Sequence, residues 1–301
     1  MTGDRQIVAR ATGFVILSAC AFGSLSTLAV LVARKGLPLL PAMFWRYLLA
    51  ALILLVILRS RVVRDIRRQD AFRLMMVGGL GQALITYLSL YALKYLPVGP
   101  LAFLFYTYPA WLAVISAVLG RERLTLARFV ALTIAMIGIV VMVEMPGAGR
   151  LSTFGIFIAL GTALLYAIYL PSLNRVQQGI PAGVSSFYLI CGVFIAFLIA
   201  NVVTRNLQMP ATTEVWGYVI LLSLFATVIA FATLIAGLRV LGPVRTSIVA
   251  TIEPFFTALL GAVFLGDALT RSILTGGALI AAAVILLQFT GRDAAGGVAS
   301  A

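Results

Sequence analysis

Residues 92–125 read ALKYLPVGPLAFLFYTYPAWLAVISAVLGRERLT, and residues 237–270 read GLRVLGPVRTSIVATIEPFFTALLGAVFLGDALT. The two stretches align without a gap at the offset of 145 positions that separates residue 92 from residue 237. The identical pairs are Leu93/Leu238, Leu96/Leu241, Pro109/Pro254, Ala113/Ala258, Ala117/Ala262, Val118/Val263, Leu124/Leu269 and Thr125/Thr270. Each copy places its proline in the middle of an apolar run of about 20 residues, which a membrane helix beside a cavity tolerates better than a soluble helix does. The doubled stretch therefore predicts two related membrane helices.

The composition also indicates an integral membrane protein. Of the 301 residues, 62% are hydrophobic and 10% are charged, whereas soluble domains carry about 25% charged residues. The net charge of +13 does not indicate a nucleic-acid partner, because the basic residues lie mostly in short gaps between apolar runs. Histidine is absent, and Cys20 and Cys191 show no CxxC spacing. We therefore expect no histidine-based catalytic site, no disulfide, no metal site and no cofactor.

Ten apolar segments are long enough to cross a bilayer. They are 11–33, 42–58, 72–92, 98–119, 126–144, 152–173, 182–203, 215–237, 243–264 and 272–290. The first continues well past Cys20, so we expect a retained span and not a cleaved signal sequence. With the N-terminus in the cytoplasm, fifteen of the 22 Arg and Lys residues fall on the inner side. This bias predicts that both termini are cytoplasmic.

The two halves, 11–144 and 152–290, each hold five of these segments. Because five is odd, the second half enters the membrane from the opposite side. The fold prediction is an all-α membrane protein of ten transmembrane helices, arranged as two inverted five-helix repeats around a central cavity near the bilayer midplane.

The prolines and the small residues near them carry further structural predictions. Pro109 and Pro254 each remove a helical hydrogen bond and are predicted to kink their helices, either to shape the cavity or only to improve packing. Small residues at four-residue spacing predict that spans four and nine pack tightly on each other. These small residues are Ala113, Ala117, Ala258 and Ala262. Gly79, with its neighbouring glycines, predicts close helix packing and not a nucleotide-binding loop.

Glu253 is the only carboxylate in the middle of a span. An acid at membrane depth is costly and is by default a functional candidate. It can meet a substrate ammonium, accept a coupling proton, or serve as a structural acid at the kink.

Aromatic and polar residues in mid-span complete the candidate cavity. The candidates are Ser24, Gln82, Tyr87, Tyr91, Tyr106, Tyr108, Tyr166, Thr227, Thr251 and Glu253. Tyr side chains suit planar or apolar substrates, although lipid-facing bulk is the alternative, and Ser or Thr often only satisfies a backbone carbonyl. Tyr106 and Tyr108 are two residues apart, so on a regular helix only one of them faces the cavity directly.

The ends of the doubled stretch resemble a known family. Pro109 is followed by Gly120-Arg121-Glu122-Arg123-Leu124, and Glu253-Pro254 by Leu265-Gly266-Asp267-Ala268-Leu269. These motifs resemble the EamA family of the drug/metabolite transporter superfamily, with Arg121 inserted in the first copy and Asp267 in place of Glu in the second. The resemblance covers nearly the whole chain.

The resemblance implies a secondary transporter in a bacterial inner membrane that exports small metabolites, above all aromatic and other neutral amino acids, by alternating access. We expect it to act as a monomer in the lipid bilayer, without a nucleic-acid partner. One alternative is a drug or cation antiporter, although the first span carries no acid. A membrane-embedded enzyme is a second alternative, but nucleophile, base and metal clusters are missing from the sequence.

Overall fold

The computed structural model describes residues 2–64, 66–92, 94–96, 101, 104–119, 125–142, 152–266 and 271–289. Every regular element in these residues is helical. The helices are α1 (Thr2–Arg34), α2 (Leu39–Arg64), α3 (Arg68–Arg73, Leu74–Leu80 and Gly81–Ala92 in one rod), α4 (Tyr108–Val118), α5 (Leu126–Met142), α6 (Thr153–Val176), α7 (Ala182–Thr204), α8 (Thr213–Ser223, Leu224–Ile229 and Ala230–Ala250 in succession), α9 (Glu253–Leu265) and α10 (Arg271–Phe289). The family motifs at 120–124 and 267–269 lie outside the described residues.

Six of the described helices are long and apolar enough to cross a membrane. They begin at Gln6, Leu39, Arg68, Thr153, Ala182 and Thr213. Four further apolar helices are shorter, and these lie in α4, α5, α9 and α10. The prediction of an all-helical membrane protein is therefore confirmed, while the number of ten spans stays a prediction.

Helices pack across the two halves of the chain. Helix α1 lies against α8 and α9, and α6 lies against α3 and α4. Helix α2 packs on α7 and α8, and α5 packs on α10. At the α3–α7 crossing, a Cβ on Gly79 would lie 2.5 Å from the Cα of Gly192, so the two backbones touch. This contact confirms the close packing predicted for the glycines of α3.

Two helices contain a π-helical turn. Residues Leu74–Leu80 form one in α3, and residues Leu224–Ile229 form another in α8. A π turn shifts the backbone hydrogen bonds by one residue and is frequent at functional sites. Helix α8 is also broken near its end, where Gly242 has φ 75° and ψ 169°, a conformation that glycine adopts without steric cost.

A turn interrupts the helical run just before each proline of the doubled stretch. Tyr106 and Thr107 form a turn before α4, and Thr251 and Ile252, at the equivalent positions, form a turn before α9. The last turn residues have nearly the same backbone angles, φ −72° and ψ −13° before α4, and φ −71° and ψ −18° before α9.

The kinks predicted at Pro109 and Pro254 stay predictions, and the structure adds that a turn interrupts the helical run just before each of them. Each proline lies in the first turn of a new helix. Its missing N–H has no intrahelical carbonyl to meet there, and its fixed φ suits helix initiation.

The small-residue ridges behave differently from the prediction. Ala113 is buried, Ala117 is exposed, and Ala258 and Ala262 are half-buried. Helix α9 packs mainly on α1 and not on α4, with Gly23 of α1 against its first two turns. The spacing of the small residues identifies positions that permit close packing, but it does not identify the helix that packs against them.

Candidate functional site

Glu253 and three tyrosines meet where the two helix breaks face each other. Tyr106 lies close enough to the Glu253 carboxyl to interact with its charge. Tyr108 and Tyr166 are close enough to Glu253 to interact with its charge. The carboxyl thus lies beside three tyrosine side chains, of which Tyr106 and Tyr108 are buried.

The rings of this cluster contact one another directly. Tyr108 and Tyr166 meet edge to face with centroids 4.7 Å apart. Phe105 lies 5.4 Å from Tyr166 and 5.5 Å from Tyr108. Tyr169 continues the row at 5.7 Å from Tyr166, and its hydroxyl donates to the Gly78 carbonyl in the π turn of α3. Aromatic rings in edge-to-face or offset contact at such distances attract each other.

Both Tyr106 and Tyr108 belong to the cluster, with ring centroids 6.3 Å apart. On a regular helix, residues two positions apart point in different directions, so one of these two tyrosines would point away from the cluster. This rule does not apply here, because Tyr106 lies in the turn and Tyr108 begins α4.

Threonine hydroxyls at both breaks donate to carbonyls that also accept the backbone N–H of the same threonine. Thr107 donates to the Leu104 carbonyl at 2.6 Å. Thr251 donates to the Ile248 carbonyl at 2.6 Å. The predicted cavity residue Thr251 is therefore engaged at the break and is fully buried.

Four further candidates lie in other local contacts. The Ser24 hydroxyl donates to the Ala21 carbonyl within α1 at 2.7 Å. Gln82 donates to the Thr86 hydroxyl at 3.3 Å, one turn along α3. Tyr87 and Tyr91 stack at 6.0 Å, and Tyr87 is 48% exposed. None of these contacts joins Ser24, Gln82, Tyr87 or Tyr91 to the Glu253 cluster.

The last candidate, Thr227, lies in the π turn of α8 and accepts a hydrogen bond from Arg46 of α2. In the sequence, Arg46 is distinguished only as a basic residue near the start of an apolar helix. Tyr169 and Phe105 are likewise members of the site that the sequence shows only as mid-span aromatics.

A separate groove of about 450 Å³ lies between α4 and α5. Its walls include Val114, Phe129 and Met136, and its single polar side chain is Thr133. The Thr133 hydroxyl already donates to the Phe129 carbonyl at 2.9 Å. This groove offers no charged partner to a solute. In the part of the chain that the structure describes, no three metal-ligating side chains come together.

Comparison with known proteins places these features in a family. The sequence model of the EamA-like transporter family matches twice, at residues 10–144 and 153–289. An uncharacterized transporter of Archaeoglobus fulgidus is 28% identical over 277 residues, which cover 90% of this chain and 94% of that protein. Protein PecM of Dickeya dadantii is 24% identical over 222 residues, covering 72% of this chain and 73% of PecM.

A crystal structure of another protein has the same fold. It superimposes with a TM-score of 0.76 over 94% of this chain and 98% of its own chain, at 19% sequence identity. The chain therefore belongs to the EamA-like transporter family and is a multi-pass membrane transporter of the drug/metabolite transporter superfamily.

Proposed function

We propose that this protein exports small metabolites, above all aromatic and other neutral amino acids, across the bacterial cytoplasmic membrane by alternating access. One observation carries the proposal. The Glu253 carboxyl lies at a helix break, with Tyr106, Tyr108 and Tyr166 around it. A carboxylate ringed by aromatic faces suits a ligand that joins an ammonium group to an apolar or aromatic body.

The packing supports an inverted repeat around this site. Each half of the chain matches the family separately. Contacts of α1 with α8 and α9 have counterparts, five helices later, in the contacts of α6 with α3 and α4. The two breaks have matching backbone angles. In transporters with such repeats, broken helices near the midplane form the substrate site, and the halves rock around it.

The substrate class rests on chemistry and on resemblance. Glu253 would bind the ammonium group, and Tyr108 and Tyr166 would contact the side chain of the substrate. We infer a resemblance to the aromatic amino acid exporter YddG, and this inference favours the same substrates.

A drug or cation antiporter is the second candidate, because the same acid and aromatic rings also suit an organic cation. The two candidates differ in one respect that can be tested. An amino acid carries a carboxylate that must be bound or solvated, whereas an organic cation does not.

The test is uptake of a panel of labelled amino acids and organic cations into proteoliposomes, with and without a pH gradient. We expect saturable transport of phenylalanine, tyrosine and smaller neutral amino acids. Glu253→Gln should raise the KM for these substrates about 10- to 100-fold, because a hydrogen bond to a charged group contributes about 1.5–3 kcal/mol. Glu214→Gln is the matched control, since Glu214 is half-exposed at the start of α8.

The outcomes separate the candidates. Absence of saturable uptake of any amino acid would exclude the proposed substrates, and uptake of cations alone would favour the antiporter. Wild-type rates that ignore the pH gradient would indicate facilitated export without proton coupling. Unchanged transport and unchanged pH dependence in Glu253→Gln would remove Glu253 from the mechanism.

A further inference from the structure

The residues around Glu253 differ in how far a ligand can reach them. Glu253, Tyr166 and Phe105 are half-buried, whereas Tyr106 and Tyr108 are buried. A ligand that binds at Glu253 can therefore contact the rings of Tyr166 and Phe105 directly. The position of the Tyr166 ring then decides how well the apolar part of that ligand fits.

Tyr169 lies beside Tyr166, three residues later on α6. The two ring centroids are 5.7 Å apart and the ring planes are tilted by 32°. Residues three apart lie on the same side of a helix. Tyr169 itself is buried, with 5% of its surface exposed. It therefore supports the Tyr166 ring from within the bundle and is out of a ligand's reach.

The Tyr169 ring is held by two glycines of α3. Its hydroxyl donates to the Gly78 carbonyl at 3.1 Å, and the same carbonyl accepts the N–H of Gly81. A Cβ on Gly81 would lie 2.8 Å from Cδ2 and 3.0 Å from Cε2 of Tyr169. The edge of the ring thus fills the space that the Cβ of any other residue at position 81 would need. A larger residue there would displace the ring from its bond to Gly78 and from its contact with Tyr166.

We propose that Gly81 and Tyr169 are positioning residues that set the preference of the transporter for substrates with a large apolar side chain. Gly81 lets Tyr169 lie against α3, and Tyr169 holds Tyr166 where it contacts that side chain. This inference rests on the proposed function, which supplies the substrate and the role of Tyr166. If the two residues served packing alone, their replacement would change the transport of large and small substrates alike.

The experiment measures the KM of phenylalanine and of alanine in proteoliposomes and compares the ratio of the two between variants. Gly81→Ala should raise the KM for phenylalanine about two- to tenfold, as expected for one disturbed ring contact, and should leave the KM for alanine nearly unchanged. Tyr169→Phe keeps the ring and removes its bond to Gly78, so it should change the ratio in the same direction. Because Tyr169→Phe adds no atom, it tests the inference even if Gly81→Ala does not fold.

A double-mutant cycle tests whether Gly81 acts through Tyr169. Tyr169→Leu removes the ring that the added methyl group would meet. Gly81→Ala should therefore have little further effect on the KM for phenylalanine when Tyr169→Leu is already present, and additive effects would overturn the role given to Gly81. Gly161→Ala of α6 is the matched control, because a Cβ at Gly161 meets no atom within 4 Å. It should change neither KM.

The outcomes separate this inference from the proposed function. Equal changes in KM for both amino acids in Gly81→Ala and Tyr169→Phe overturn the inference and leave the proposed function intact. If the wild type transports organic cations and no amino acid, the proposed substrate class fails, and the same ratio is measured with 2-phenylethylamine and methylamine. A ratio that changes for these amines supports the positioning role, and an unchanged ratio overturns it. Absence of saturable uptake of either class overturns both proposals.

Discussion

Because the backbones of α3 and α7 are in contact at Gly79, one added methyl group at this residue should lower the stability of the protein. A Cβ added to Gly79 would lie 2.5 Å from the Cα of Gly192, 2.8 Å from its carbonyl carbon and 3.0 Å from the Leu189 carbonyl oxygen. All three atoms are backbone, so no side chain can turn away. Ordinary contact begins at 3.4 Å, and the helices must separate by about 1 Å, using the van der Waals range as the guide.

Gly79→Ala should therefore destabilise the protein by about 1–2 kcal/mol. Overpacking costs about 1–3 kcal/mol, and alanine returns up to about 1 kcal/mol through its better helix propensity. For a chain of this size the melting temperature should fall by about 2–6 °C. The assay is thermal unfolding of the purified protein in detergent at a fixed heating rate, because such transitions depend on scan rate.

Gly161→Ala supplies the control, since a Cβ at Gly161 of α6 meets no atom within 4 Å. Its melting temperature should equal or slightly exceed that of the wild type. If Gly79→Ala melts at or above the wild type while Gly161→Ala behaves as expected, the backbones of α3 and α7 do not touch at this point, and the reasoning is refuted.

Two further predictions concern the ring cluster and the outer surface. Tyr166→Leu should raise the KM for phenylalanine about tenfold and that for alanine much less, because ring pairs contribute about 0.5–1.5 kcal/mol each; equal increases for both substrates would contradict an aromatic contact. Lys35→Gln should lower the melting temperature by the same small amount at pH 6, 7 and 8. Its hydrogen bond to Glu214 raises the pKa of Lys35, so the contribution of the pair is fully present below the ordinary value of about 10.4 and is lost only above it. A deficit in Lys35→Gln that changes between pH 6 and pH 8 would point to another titrating group.

The positions of the two helix interruptions can be predicted from the sequence, but their backbone conformation cannot. Pro109 and Pro254 identify the positions, since proline removes a helical hydrogen bond wherever it lies. Whether the chain kinks or begins a new helix depends on the residues before it. Here Thr107 and Thr251 each add a side-chain hydrogen bond to a carbonyl that also accepts their own backbone N–H. These bonds form only after the turn has formed, so no periodicity in the sequence reports them.

Arg46 shows a different limit of prediction from sequence. Its residue type and position are visible in the sequence, but its partner is not. The Ala226 carbonyl, to which Arg46 donates, becomes available because α8 adopts a π turn there, and the hydrogen-bond register of a helix is set by tertiary packing and not by propensity alone. The composition could predict a membrane fold and the repeat could predict a cavity. The partners of these side chains could be found only in the packed bundle.

The asymmetry between the two copies has a physical reason in this arrangement. The breaks share their proline and backbone angles, and they differ at Tyr108 and Glu253. Tyr108 lies close enough to Glu253 for an electrostatic interaction. A carboxylate at both positions would place two like charges in one apolar cluster, where their repulsion is weakly screened and one of them would have to stay protonated. A tyrosine at both positions would leave an ammonium group without a counter-charge. Under the proposed function, one acid and one ring would bind a cationic group with an apolar body better than either symmetric pair, and this would account for the difference between the two copies.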